Sequence, residues 1–115
     1  MSSSAVSRAR AVLQKLRAGP AARGAIEVLP RMADLIVQGR KTILVKATRF
    51  SVDKCSFTLA TQHALHGTLV LGAPEEILLG KLRETRASHG LSDSEIALLW
   101  PKAAKFWAYP ITSFT

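Results

Sequence analysis

Glycine and proline cut this chain into short pieces, and the pieces switch between helical and strand periodicity. Breaks fall at Gly19-Pro20, Pro30, Gly39, Gly67, Gly72-Ala73-Pro74, Gly90, Pro101 and Pro110. A chain of 115 residues has room for one such domain and no second. Its hydrophobic content of 48% and charged content of 21% are globular values. The single cysteine, Cys55, excludes an internal disulfide, CxxC redox chemistry and the usual zinc ligand sets. The longest apolar run, around Gly67 to Ala73, is far short of the roughly 20 residues a spanning helix needs.

Read in order, Arg8 to Arg17 fits a helix by composition and a strand by alternation. From Pro20 to Gln38, Ile26, Leu29, Met32, Ala33 and Ile36 recur at three and four. This predicts an amphipathic helix kinked or split at Pro30. Thr42 to Phe50 and Cys55 to Thr61 read as strands. His66-Gly67 reads as a hairpin turn into a strand at Thr68 to Leu71. Pro74-Glu75-Glu76 opens a predicted helix that Gly90 stops. Ser92 or Asp93 caps a last helix. The tail Phe106, Trp107, Tyr109, Ile111 and Phe114 lacks a helical period and reads as an aromatic arm.

Charge carries the functional signal. The net charge is +8, and all of the excess lies between Met1 and Lys54, where 11 basic residues face 3 acidic ones. A field of one sign on part of a small domain favours an anionic partner, with RNA first. The expected phosphate contacts are Arg8, Arg10, Lys15, Arg17 and Arg23 on the N-terminal segment, then Arg40, Lys41, Lys46, Arg49 and Lys54 around the first long strand. Phe106, Trp107, Tyr109 and Phe114 are the expected protein interface. Met1 to Gly24 is rich in serine and arginine and has no acid, the composition of a mitochondrial transit segment, so a matrix location is expected.

Chemistry-bearing constellations are few. His63, His66 and His89 with Cys55 match no metal-ligand spacing and read as surface or turn residues. Glu75 and Glu76 are adjacent, so on a helix they diverge by about 100° and cannot act as an acid/base pair; they read as dipole complements. No GxSxG elbow, GxGxxG or GxxxxGK[ST] loop occurs. The expectation is a binding protein with no catalytic residues, no metal and no cofactor. Lys81 to Leu99 contains an R-x-x-x-G-L-S-x-x-E-I-A stretch like the start of a helix-turn-helix, but Trp100-Pro101 stands where a recognition helix would follow.

Three local features carry a resemblance: Gly19 to Glu27, Lys41 to Arg49, and Cys55 to Leu59 followed by His66 to Ala73. Over residues 8–90 the chain resembles the thioredoxin-like mitochondrial family of the fifty-third large-subunit ribosomal protein, which also includes an accessory subunit of respiratory complex I. The resemblance implies an α/β fold of β-α-β-β-β-α order without redox cysteines. It divides the chain into a basic segment at 1–24, a thioredoxin-like core at 25–90, and a C-terminal helix with an aromatic tail at 91–115. It further implies a structural role in the mitochondrial ribosome, with rRNA and neighbouring subunits as partners and no small-molecule substrate. A respiratory-complex subunit is the alternative, followed by a small DNA-binding regulator.

Overall fold

A computed structural model describes residues 2–21, 24–52 and 56–115, with side chains from Arg8 onward. The elements run α1 (Ser2–Arg17), β1 (Ala25–Glu27), α2 (Pro30–Val37), β2 (Ile43–Lys46), β3 (Ser56–Ala60), β4 (Leu65–Leu71), β5 (Glu75–Leu78), α3 (Leu79–Glu84), α4 (Arg86–His89), α5 (Asp93–Leu99) and β6 (Lys105–Phe114).

The aromatic tail organises the sheet. β6 is the longest strand, and its residues 105–110 lie between β5 and β2, antiparallel to both. Its outer half then pairs with β4 from Leu71↔Ile111 to Leu69↔Phe114. The strand order is β1-β3-β4-β6-β2, with β5 beside β6; β1–β3 is parallel and the other described pairings are antiparallel. Pro110 cannot donate to the ladder, yet it sits where β4 gives way to β5, and its carbonyl accepts Gly72 N–H at 2.9 Å. Phe106 and Tyr109 are fully buried; Trp107 and Phe114 are half-buried. The expected aromatic arm is therefore a central strand. Its alternation was hidden because Ala108 and Tyr109 are adjacent and both buried.

This is not the thioredoxin-like domain expected from the sequence. A mixed sheet of six strands replaces the β-α-β-β-β-α layout. The sheet curls until its two edge strands meet: Lys46, at the end of β2, donates through Nζ to the Glu27 carbonyl of β1 at 3.2 Å. Two elements expected to be helical are strands. Ile26 and Val28 are buried at a spacing of two, and β1 pairs in parallel with β3 at Ile26↔Leu59. The helix then starts at Pro30, where a missing N–H loses nothing. Glu75 and Glu76 belong to β5, opposite Ala108 and Trp107, so they complement no helix dipole.

Local signals hold elsewhere. Ser92 accepts from Glu95 N–H while the Glu95 carboxylate accepts from Ser92 N–H, a complete capping box on α5. Gly90 ends α4 with φ 77°. The turn placed at His66-Gly67 lies earlier, where Thr61 N–H bonds the Ala64 carbonyl at 2.9 Å. Gly67 sits within β4 at φ 146°, and a Cβ there would meet the Thr115 carbonyl at 2.4 Å. Glycine is required there by close backbone approach.

The core joins both halves of the chain, from Leu16 and Ile26 to Trp100, Phe106 and Tyr109. Phe50 stacks on Tyr109 with ring centroids 4.1 Å apart, and the Tyr109 hydroxyl accepts Phe50 N–H at 2.8 Å. Among the described residues, no helix is long and apolar enough to cross a membrane.

Candidate nucleic-acid interface

The ambiguous segment at Arg8 to Arg17 is helical, and its C-terminal end is tied down. Arg17 lays its guanidinium across the C-terminus of α5, donating through Nη2 to the Leu98 carbonyl at 3.3 Å and through Nε to that of Leu99. A cation at a helix C-terminus also complements its dipole. Trp100 Nε1 returns a bond to the Arg17 carbonyl at 3.4 Å, and Leu16 is buried in the core.

Held there, α1 forms one wall of a groove of about 820 Å³. Arg8, Val12 and Lys15 line it from the helix, residues 18–21 close one end, and Glu27, Thr61, Gln62 and His63 line the side made by β1 and the β3–β4 turn. Its volume lies within the range of small-ligand sites, roughly 300–1,000 Å³. Arg8, Arg10 and Lys15 are exposed, and among the described residues none of them makes an ion pair. The ion pairs described are Arg31–Glu95 and Lys81–Glu84.

Beyond the end of α1 lies a second, much smaller space of about 20 Å³, lined by Leu16, Met32, Lys41, Lys46 and Trp100 among others. A space of that size holds about one water. Lys46 is 2% exposed and donates to the Leu16 carbonyl at 2.7 Å as well as to Glu27. Burial pushes its amine down to about 8, with the Glu27 charge pulling the other way. Lys41 is 3% exposed and donates to the His89 carbonyl. Burial pushes it down to about 7, aided by Lys46 and Arg31 and opposed by Glu95.

The expected phosphate contacts thus separate. Arg8, Arg10 and Lys15 stand exposed along α1, with Arg8 and Lys15 on the groove, while Arg17 is spent on α5. Lys41 and Lys46 point inward to backbone carbonyls and offer no face to a phosphate. Arg40 is exposed away from both spaces. Arg49 lies 5.5 Å from the Trp107 ring centre, with Lys105 at 5.9 Å, a separate basic and aromatic spot. Arg23, Lys54 and Cys55 lie outside the described residues. Of the residues expected at a protein interface, Phe106 and Tyr109 have no exposed surface to offer.

Sequence reasoning missed Glu27, Thr61, Gln62 and His63 as lining residues, because strand pairing alone brings β1 beside the β3–β4 turn. It also missed His89, read as a surface or turn residue but fully buried. His89 Nε2 donates to the Leu82 carbonyl at 2.6 Å and Nδ1 accepts from Leu91 N–H at 2.9 Å, so the ring is held neutral. Burial, with the nearby Lys41 and Arg86 charges, pushes its pKa down against the Leu82 bond and Asp93. Among the described residues no group of three or more His, Cys, Asp or Glu side chains forms a metal-binding cluster.

The fold is similar to that of ASCH from Zymomonas mobilis. The TM-score is 0.66 at 17% identity, over 77% of this chain and 66% of that one. A serine-to-alanine variant of that protein matches at TM-score 0.66 and 17% identity, over 79% of this chain and 69% of that one. A tyrosine-to-phenylalanine variant matches at 0.60 and 19%, over 77% and 68%. The curled mixed sheet thus shares its fold with these ASCH structures. No protein-family profile matches the sequence, and no characterised protein matches it at the level of sequence. These structural similarities overturn the resemblance to the thioredoxin-like mitochondrial ribosomal family, and the ribosomal and complex I roles that it implied lose their support. The motifs behind it, a β-hairpin and a Gly-containing turn, are local solutions that many folds share.

Proposed function

We propose that this chain is an RNA-binding domain, and that RNA lies along α1 with its backbone on Arg8, Arg10 and Lys15. The observation that carries this reading is the groove, its volume in the range of small-ligand sites, flanked by exposed cations with no ion-pair partner among the described residues. The PUA-like fold of the structural neighbours, a class that binds RNA, supports it, as does the charge excess of the first half of the chain. Phosphate contacts of this kind position a strand and read no sequence.

Binding without turnover is part of the proposal. The two amines whose pKa burial lowers toward neutrality, Lys41 and Lys46, sit behind α1 beside a space that holds about one water, out of a substrate's reach. The mitochondrial address is a further proposal. Because Leu16 belongs to the core, an imported chain keeps the segment, and mass spectrometry of organelle-recovered protein would find residues 8–17 still attached.

The test is salt dependence. Each phosphate contact with single-stranded nucleic acid contributes about 0.7 to the slope of log affinity against log salt. Changing Arg8, Arg10 and Lys15 together to Gln should flatten that slope by about 2 and weaken binding to all sequences alike. An unchanged slope would exclude α1 as the phosphate-binding element.

A further inference from the structure

Among the described residues Glu27 is the one acid that lines the groove, and its chemistry is unfinished. Its Oε2 is buried and has no hydrogen-bond partner. A carboxylate oxygen only accepts, so only an N–H or O–H donor can complete it, and a buried acceptor left alone is unfavourable. Among the described residues no such donor reaches it. Lys46 is close enough to feel the Glu27 charge, but its bonds go to the Leu16 and Glu27 carbonyls and none to the carboxylate. The Thr61 hydroxyl is engaged with the Ala64 carbonyl and His66, and the Gln62 amide with His63. Arg8 and Lys15 make no ion pair with Glu27.

The groove therefore presents two demands at once. Its rim calls for an anion, and its acid calls for an N–H edge. A nucleotide meets both. Among the bases, guanine alone offers two adjacent donors, N1–H and the 2-amino group, matched to the two oxygens of one carboxylate. Cytosine and adenine set one amino group beside an acceptor, and uracil has a single N–H between two carbonyls. Splayed bases of single-stranded RNA are read along this edge.

Resting on the RNA-binding reading, we propose that the groove between α1 and the β3–β4 turn is a guanine-selective nucleotide pocket. Glu27 accepts from the N1–H and 2-amino edge of an unpaired guanine, while Arg8 and Lys15 hold the flanking phosphates. The carboxylate turns about its last torsion to bring both oxygens to the base. Lys46, bonded to the Glu27 main-chain carbonyl, holds the end of β1 in place for this contact.

The experiment titrates the full chain with short uridine oligonucleotides carrying one central guanine, adenine, cytosine or uracil, followed by fluorescence anisotropy at low salt. The guanine oligonucleotide should bind roughly tenfold more tightly than the all-uracil one, the discrimination of one good bidentate contact. Glu27→Gln, close in shape and checked for an unchanged melting curve, should erase that preference while keeping the uracil affinity. Arg8→Gln with Lys15→Gln should weaken all four alike. Equal binding of the four by the unaltered protein, or a guanine preference that survives Glu27→Gln, would overturn the pocket and leave RNA binding standing. No binding of any oligonucleotide at low salt would overturn both.

Discussion

Lys41 and Lys46 make the stability of this protein rise with alkalinity, opposite to the usual behaviour above neutral pH. Each is almost wholly buried, and burial lowers its pKa from 10.5, to about 7 for Lys41 and about 8 for Lys46. In the unfolded chain both keep their protons up to about pH 10.5. Between the folded and unfolded values the unfolded state therefore holds more protons, and stability increases with pH. At about 1.4 kcal/mol per pH unit, the rise up to pH 10 is on the order of 4 kcal/mol from Lys41 and 3 kcal/mol from Lys46. Once the unfolded lysines have lost their protons, above about pH 10.5, the sign turns, because burial raises the Tyr109 pKa and the folded state keeps a proton that the unfolded state has lost. Urea unfolding at intervals from pH 7 to 10 reads the slope directly. Lys46→Met removes one ammonium, so its rise should be smaller by about 3 kcal/mol. Its absolute stability also carries the loss of bonds to the Leu16 and Glu27 carbonyls, so the slope is the quantity to compare. A flat or falling stability over this interval, or a slope that Lys46→Met leaves unchanged, would refute the burial of these amines.

Gly67→Ala should destabilise by about 3 kcal/mol in chemical unfolding, since a methyl at φ 146° would press on the Thr115 carbonyl. His89 contributes toward the acid end. Its folded pKa is pushed below 6.5, so as pH falls through the unfolded value the unfolded chain takes up a proton that the folded ring refuses, and stability declines. His89→Gln should remove that component of acid sensitivity in melts between about pH 7 and 5.

Much of the local grammar was legible in the sequence. The αL stop at Gly90 and the Ser92 cap are chemical facts of a few neighbouring residues, and they stand where expected. The elements that depend on distant partners were not. Ile26 and Leu29 fit a helical period equally well, and only β3 alongside turns residues 25–27 into a strand. Glu75-Glu76 after Pro74 reads as a helix start until β6 claims it. Tertiary pairing overrides propensity in both cases.

For the site, the charge asymmetry pointed to the first half of the chain, and Arg8, Arg10 and Lys15 do stand exposed there. It could not separate them from Lys41 and Lys46, because a lysine's burial is decided by whether carbonyls wait for it inside. Here the carbonyls of Leu16, Glu27 and His89 do. Glu27 was unremarkable in sequence, one acid among basic residues. Its meaning comes from a groove assembled by α1, β1 and a hairpin turn far apart in the chain.

The most direct test of the central claim maps where RNA lands. Backbone amide resonances of the isotopically labelled protein are followed as a single-stranded oligonucleotide is added at low salt. The largest shifts should fall on Arg8 to Lys15 and Thr61 to His63, the two walls of the groove. Shifts centred on Arg49, Lys105 and Trp107 with α1 unmoved, or none at saturating RNA, would contradict it.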